Sequence, residues 1–112
     1  MDINQVAMTV IMNACSGRDK VDESFASMAE NDYEKAEALL AAADKDILEA
    51  HRAQTEVIQA QAGGEDTEYS LLFIHAQDTI MTSDAQLRIA RNMMPVLKQQ
   101  YELIKQLKEK TK

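Results

Sequence analysis

Residues 70–83 read SLLFIHAQDTIMTS and begin the longest apolar pattern in the chain. Apolar spacings of three and four residues are typical of one helix face, yet two such stripes can be drawn from about Thr67 to Lys108. The first stripe comprises Phe73, Ala76, Ile80, Leu87, Ala90, Met94, Leu97, Tyr101 and Ile104. The second stripe comprises Leu71, Ile74, Asp78, Met81, Ala85, Ile89, Val96, Leu103 and Leu107, with His75 at its margin. Because one stripe suffices for packing within a monomer, the second predicts a homo-oligomer with the third helix at its centre.

Two breaks divide the rest of the chain. The stronger is GGEDT at residues 63–67, and the weaker is END at residues 30–32, where Asn31 and Glu34 have the spacing of a capping box. With three glycines and one proline, the sequence has too few turn-forming residues for a fold of strands and turns. The predicted fold is all-α, an antiparallel three-helix bundle in which Pro95 kinks the last helix. We predict one domain, residues 1–112, with helices over about 2–30, 32–62 and 67–108.

The first two segments each carry one apolar stripe at helical spacing. The first contains Ile3, Val6, Val10, Ala14, Gly17, Val21, Phe25 and Met28, and its glycine indicates close packing. The second contains Tyr33, Ala36, Leu40, Ala43, Ile47, Ala50, Gln54 and Val57, a spacing similar to a coiled-coil seam.

Composition excludes several classes of function. The 112 residues carry a net charge of −7, which argues against binding to nucleic acid. A single cysteine, Cys15, allows no internal disulfide and no zinc cluster, and no apolar run is long enough to cross a bilayer. Glycine-rich phosphate loops, GxSxG and HExxH are absent from the sequence. The expectation is a soluble cytoplasmic protein.

His75 and Asp78 are the candidates for chemistry, since residues three apart share a helix face. Histidine titrates near neutrality, so His75 can hold a proton, a metal or a phosphoryl group, or it can simply be satisfied by a neighbour. Asp78 interrupts an apolar stripe. It either meets its copies at a symmetry axis, where the like charges require a hard cation or shared protons, or lies at the rim and bonds to water or Thr82.

Two further features have more modest interpretations. His51, with Gln54 and Thr55 beside it, is expected to have a core or capping role within a local hydrogen-bond network. The lysines between Lys98 and Lys112 form either a docking patch for an acidic partner or a solvated helix end.

Residues 70–83 resemble the enzyme IIA component of the lactose/cellobiose (N,N'-diacetylchitobiose) family of the bacterial phosphoenolpyruvate-dependent sugar phosphotransferase system. The likeness is centred on HAQD at residues 75–78 and extends to EAHRAQTEVI at residues 49–58, followed by the glycine break. The helix order matches over essentially the whole chain.

The resemblance implies a homotrimer of three-helix subunits. It also implies that His75 accepts a phosphoryl group from the phosphocarrier protein HPr and passes it to a cysteine of enzyme IIB. By the same match Asp78 holds one magnesium ion shared by three subunits. In the hypothesis of a phosphohistidine carrier, Gln77 is expected to help shape the site. The chain departs from the family at Thr79, where a second histidine is common, and at Pro95.

Two hypotheses therefore differ in class. The first is a phosphohistidine carrier in the uptake of a lactose-, cellobiose- or chitobiose-type sugar. The second is a non-catalytic helical adaptor in which His75 and Asp78 are structural.

Overall fold

Three long helices make up the computed structural model, which describes residues 1–111. They are α1 (Ile3–Ala29), α2 (Tyr33–Ala62) and α3 (Leu71–Lys110), and the described residues contain no strand. Contacts join the start of α1 to the start of α3, and the start of α2 to the far part of α3. The helices thus run up, down and up. The predicted all-α, antiparallel three-helix bundle is confirmed; Lys112, the last of the C-terminal lysines, lies outside the described residues.

Short polar side chains set the three helix starts, and two of these starts differ from the prediction. Asp32, rather than Asn31, caps α2, because its carboxylate accepts a hydrogen bond from the Lys35 N–H at 3.1 Å. Asn31 instead occupies the turn with a φ of 63°, a left-handed conformation that asparagine tolerates. The last helix begins at Leu71 instead of about Thr67, because the Ser70 hydroxyl accepts from the Phe73 N–H at 3.0 Å.

The connection between α2 and α3 is held by its own side chains. Gln61 Nε2 donates to Thr67 Oγ1 at 2.5 Å, which ties the connection to the end of α2. The Ser70 hydroxyl also donates to Asn4 Oδ1 at 2.6 Å, across to the start of α1. These bonds keep residues 67–70 out of the helix.

The core forms two clusters along the bundle. The cluster nearer the start of α3 contains Ile3, Ala7, Val10, Ala14, Ala50, Val57, Phe73, Ala76 and Ile80. The other contains Val21, Met28, Ala36, Leu40, Ala43, Ile47, Leu87 and Ala90. Many of these side chains are alanines, which allow the helix axes to approach closely. The first stripe of α3 supplies its share of both clusters.

The first stripe of α3 extends beyond the helices that it packs against, at the C-terminal end of α3. The helix is uninterrupted through Pro95, so the kink predicted there stays a prediction. At 1.5 Å per residue α3 is about 60 Å long, in a molecule 70 Å in its longest dimension. Tyr101 still contacts Tyr33, but Ile104 is 53% exposed, so its predicted burial in the bundle is wrong. The α1–α2 turn ends before it could cover Ile104.

Gly17 lies where α1 and α2 approach each other closely. A Cβ atom at this position would lie 2.8 Å from Ile47 Cγ1 and 3.1 Å from the Ala43 carbonyl oxygen. Ile47 is almost completely buried and cannot move aside freely. Only glycine therefore fits without displacing the helices.

A polar network also joins α1 to α2. Asp46 accepts hydrogen bonds from Lys20 Nζ and, at 2.8 Å, from the Ser16 hydroxyl. Burial opposes ionisation of Asp46, but the two hydrogen bonds and the charge of Lys20 outweigh it and lower the pKa of the carboxyl group. The network thus favours the folded state while Asp46 is ionised.

Substituting Gly17→Ala should lower the free energy of unfolding by about 1–3 kcal/mol, because overpacking outweighs the better helix propensity of alanine. Gly63→Ala is the matched control. Its Cβ would lie no closer than 3.4 Å to any neighbour, so stability should hold or rise slightly. Urea titration of both variants measures the difference. Equal stability of the two would contradict the close approach at Gly17.

Substituting Asp46→Asn should cost about 1 kcal/mol at neutral pH. Since folding lowers the pKa of Asp46, its contribution is fully present above the unfolded pKa of about 4 and is lost as pH falls through the folded value. The stabilities of wild type and variant should therefore converge in acid. Asp44→Asn, which removes an exposed pair with Arg91, is the control and should change stability little. A cost of Asp46→Asn that persists unchanged in acid would contradict this role.

Candidate functional site

Burial of one face at the start of α3 decides which side chains point outward. Phe73, Ala76 and Ile80 are buried in the core, so the helical spacing turns His75 and Asp78 to the surface. The two residues share that surface, as the sequence predicts. Around them lie exposed apolar side chains, among them Leu71 at 70% and Met81 at 67% exposure.

The second stripe is exposed along the whole of α3. Its large apolar side chains on the surface are Leu71, Ile74, Met81, Ile89, Val96, Leu103 and Leu107. Isolated apolar residues on a surface are ordinary, but a continuous stripe of this length marks an interaction surface. The second stripe thus lies outside the monomer core, and the homo-oligomer that the sequence predicts from it stays a prediction.

His75 presents its imidazole to solvent. Within residues 1–111 the ring has no hydrogen-bond partner, and only the main-chain carbonyl oxygen is engaged, by the Thr79 hydroxyl at 2.8 Å. The interpretation of His75 as satisfied by a neighbour is therefore not supported in this chain. An exposed ring with free nitrogens can receive a group from another molecule.

Thr79 occupies the position at which the enzyme IIA family that this sequence resembles commonly has a second histidine. Its side chain is buried, and its hydroxyl bonds to the carbonyl oxygen one turn back. This arrangement directs the side chain along its own helix rather than toward the His75 ring. Thr79 offers no ionisable group at the site.

Asp78 lies at the surface in the middle of the second stripe. Thr82, its expected partner, donates instead to the main-chain oxygens of Asp78 and Thr79, each at 3.0 Å. No group of three or more acidic, histidine or cysteine side chains that could hold a metal occurs in the part of the chain described. A metal at Asp78 would thus need ligands from further copies.

Gln77 is half-buried and is not brought beside His75 in the same chain, because residues two apart on a helix do not face each other. At 100° per residue, Gln77 and His75 lie on opposite flanks of the second stripe. The two flanks can meet only when one copy packs beside another.

His51 differs from the prediction. Its side chain is exposed, and Nε2 lies 4.0 Å from Asp84 Oδ2 on α3, so a core or capping role is wrong. The pair therefore bridges α2 and α3 at their surface. The expected local network is also missing, because Gln54 Oε1 is buried without a partner among the described residues.

No helix of the described chain has the length and apolarity to cross a bilayer. The Ser16–Lys20–Asp46 network is not predictable from the sequence, because its members lie on two helices and no local spacing connects them.

Comparisons with known proteins agree on one family. The model described as "PTS system, Lactose/Cellobiose specific IIA subunit" matches residues 5–98. The chain is 38% identical, over 82 residues, to the lichenan-specific phosphotransferase enzyme IIA component of Bacillus subtilis, covering 73% of this chain and 74% of that protein.

Two solved structures are similar to this chain. The cellobiose-specific enzyme IIA from Bacillus anthracis superposes with a TM-score of 0.86 at 30% identity, covering 91% of this chain and 94% of that one. The IIA(Chitobiose) of Escherichia coli, solved in complex with HPr, gives a TM-score of 0.77 at 24% identity, covering 90% of this chain and 98% of that one. The second likeness concerns the fold alone.

Proposed function

Since the chain belongs to the lactose/cellobiose-specific IIA family of the sugar phosphotransferase system, we propose that His75 is its phosphoryl acceptor. The observation that carries the proposal is the exposed, unbonded His75 ring at the residue that matches the family's motif. HPr, the partner in the chitobiose IIA structure, is the proposed donor, and a cysteine of enzyme IIB is the proposed acceptor.

The relay consists of two substitutions at phosphorus. A ring nitrogen of His75 attacks the phosphoryl group of phospho-HPr, forming a nitrogen–phosphorus bond as the bond to HPr breaks. The IIB cysteine, as thiolate, then attacks the same phosphorus, and His75 leaves with its original lone pair. Because such transfers have loose transition states, the protein mainly has to hold donor and acceptor in line. An exposed acceptor on a rigid helix meets that requirement for two protein partners in turn.

The position of His75 near the start of α3 favours the charged intermediate. Helical side chains tilt toward the N-terminus, where the partial charge is positive. A phosphoryl group on His75, the fifth residue of α3, would therefore extend toward the favourable end of the helix.

The oligomer proposed for this carrier is a homotrimer packed through the second stripe. Residues 1–111 leave the large apolar side chains of this stripe exposed, and the number of subunits, three, is taken from the family. In a closed ring of identical contacts, one flank of each stripe meets the opposite flank of the next copy. Gln77 of one subunit would then lie beside His75 of its neighbour and could fix the ring's tautomer by a hydrogen bond.

Asp78 would bring three carboxylates to the axis of that trimer. Like charges so close require a cation or shared protons, and oxygen ligands alone favour a hard ion such as magnesium. The exposed carboxylate among apolar side chains fits this role, and the ion would supply charge neutralisation between the subunits. No step of the phosphoryl transfer depends on it.

The identity of the transported sugar is determined by the transporter rather than by this chain. The relatives are named for lichenan, lactose and cellobiose, and a carrier of phosphoryl groups need not contact any of them. We place the relay in the cytoplasm, where phosphoenolpyruvate supplies HPr.

Substituting His75→Gln should abolish phosphorylation without unfolding the protein, because the side chain is exposed. Intact-mass analysis after incubation with phosphoenolpyruvate, enzyme I and HPr should find one acid-labile phosphoryl group on wild type and none on the variant. His51→Gln, the other histidine, is the matched control and should still be phosphorylated. Phosphorylated HPr beside an unmodified, folded wild type would contradict the carrier and leave the adaptor as the better account.

Substituting Asp78→Leu should give a folded oligomer that no longer responds to chelators, since leucine removes the axial charges. Sedimentation velocity with and without EDTA measures this. Wild type should lose stability or assembly when the ion is removed. Asp84→Leu, outside the second stripe, should leave the ion dependence of wild type unchanged. An Asp78→Leu protein that is monomeric would contradict the axial position.

A further inference from the structure

A groove of 580 Å³ lies at the end of the bundle away from His75. Its walls are the end of α1, the α1–α2 turn with Tyr33, and the face of α3 between Leu97 and Lys108. At 1.5 Å per residue, Tyr101 in this wall lies about 40 Å along α3 from His75. The groove is therefore separate from the phosphoryl site, and its volume is in the range of small-molecule sites.

The groove gathers most of the aromatic side chains of the chain. Of the five phenylalanines and tyrosines, Phe25, Tyr33 and Tyr101 line it. The rings of Tyr33 and Tyr101 have their centroids 5.9 Å apart and are inclined at 40°. Tyrosine rings offer flat apolar faces with a polar edge, a combination suited to the C–H face and hydroxyl groups of a sugar ring.

The polar lining is cationic or neutral. Lys105 and Lys108 stand on the α3 side together with Gln100, while Asn31 lines the groove from the α1–α2 turn. Lys105 Nζ lies 5.9 Å from the centre of the Tyr101 ring, which places the charge beside the aromatic platform. Within residues 1–111 no carboxylate lines the groove, although the chain carries a net charge of −7. This contrast favours an anionic ligand.

We propose that the groove binds a phosphorylated sugar. The sugar ring lies against Tyr33 and Tyr101, the amides of Asn31 and Gln100 bond to its hydroxyl groups, and the phosphate meets Lys105 and Lys108. The choice of a sugar over other phosphate-bearing rings rests on the proposed function, because the transporter served by a phosphoryl relay delivers phosphorylated sugars. No residue of the second stripe lines the groove, so assembly through that stripe leaves it open.

The test is an NMR titration of the ¹⁵N-labelled full chain with cellobiose 6′-phosphate, with cellobiose and with inorganic phosphate. Saturable shifts confined to the groove amides are expected with cellobiose 6′-phosphate, and much weaker binding with the other two. Lys105→Met should weaken binding about tenfold by removing a charge-assisted contact. Lys98→Met removes the same charge from α3 outside the groove and should bind like wild type. Tyr101→Phe should retain most of the affinity that Tyr101→Ala loses.

Several outcomes would overturn the proposal. The first is an absence of saturable shifts with cellobiose 6′-phosphate. The second is binding of inorganic phosphate as tight as that of the phosphorylated sugar. The third is an equal loss of affinity in Lys98→Met and Lys105→Met. Tighter binding of AMP than of the phosphorylated sugar would replace the sugar with a nucleotide. His75→Gln should bind cellobiose 6′-phosphate like wild type, so a failed relay and an empty groove are distinguished.

Discussion

The burial of one face of α3 against the other two helices is the constraint on which the rest of the structure depends. Once Phe73, Ala76 and Ile80 pack into the core, the rotation of α3 about its axis is fixed. That rotation alone decides that His75 and Asp78 face outward among exposed apolar side chains. The glycine at position 17 supports the same constraint from the other side, because it lets α1 and α2 approach closely enough to form the surface against which α3 lies.

Helical periodicity explains why the sequence predicts the fold and the surface position of Asp78. Three-four spacing depends only on local geometry, and it assigns both faces of α3 without any knowledge of the partners. Helix ends were less predictable. Asn31 and Asp32 both can cap a helix, and only the turn geometry selects Asp32. Likewise, α3 begins after Thr67 because the Gln61 side chain donates a hydrogen bond to the Thr67 hydroxyl. No spacing rule predicts that contact.

The features that sequence analysis missed join residues distant along the chain. His51 meets Asp84, and Lys20 meets Asp46, across helix pairs whose register is set by packing rather than by local pattern. The aromatic groove was missed for the same reason, since Phe25, Tyr33 and Tyr101 come from three different helices. The histidine proposed as acceptor, His75, was by contrast indicated by a short motif, because the residues of that motif are consecutive on one helix.

Pro95 makes α3 easier to bend at this position than elsewhere along the helix. Proline has no N–H, so the carbonyl oxygen of Arg91 lacks its usual donor one turn ahead, and the helix is joined there by one bond fewer. The segment before Pro95 is held by the core, whereas the segment after it carries one wall of the groove. Bending at this point therefore costs less than elsewhere along α3 and would move that wall toward or away from the α1–α2 turn. The width of the groove would therefore change when α3 bends at Pro95.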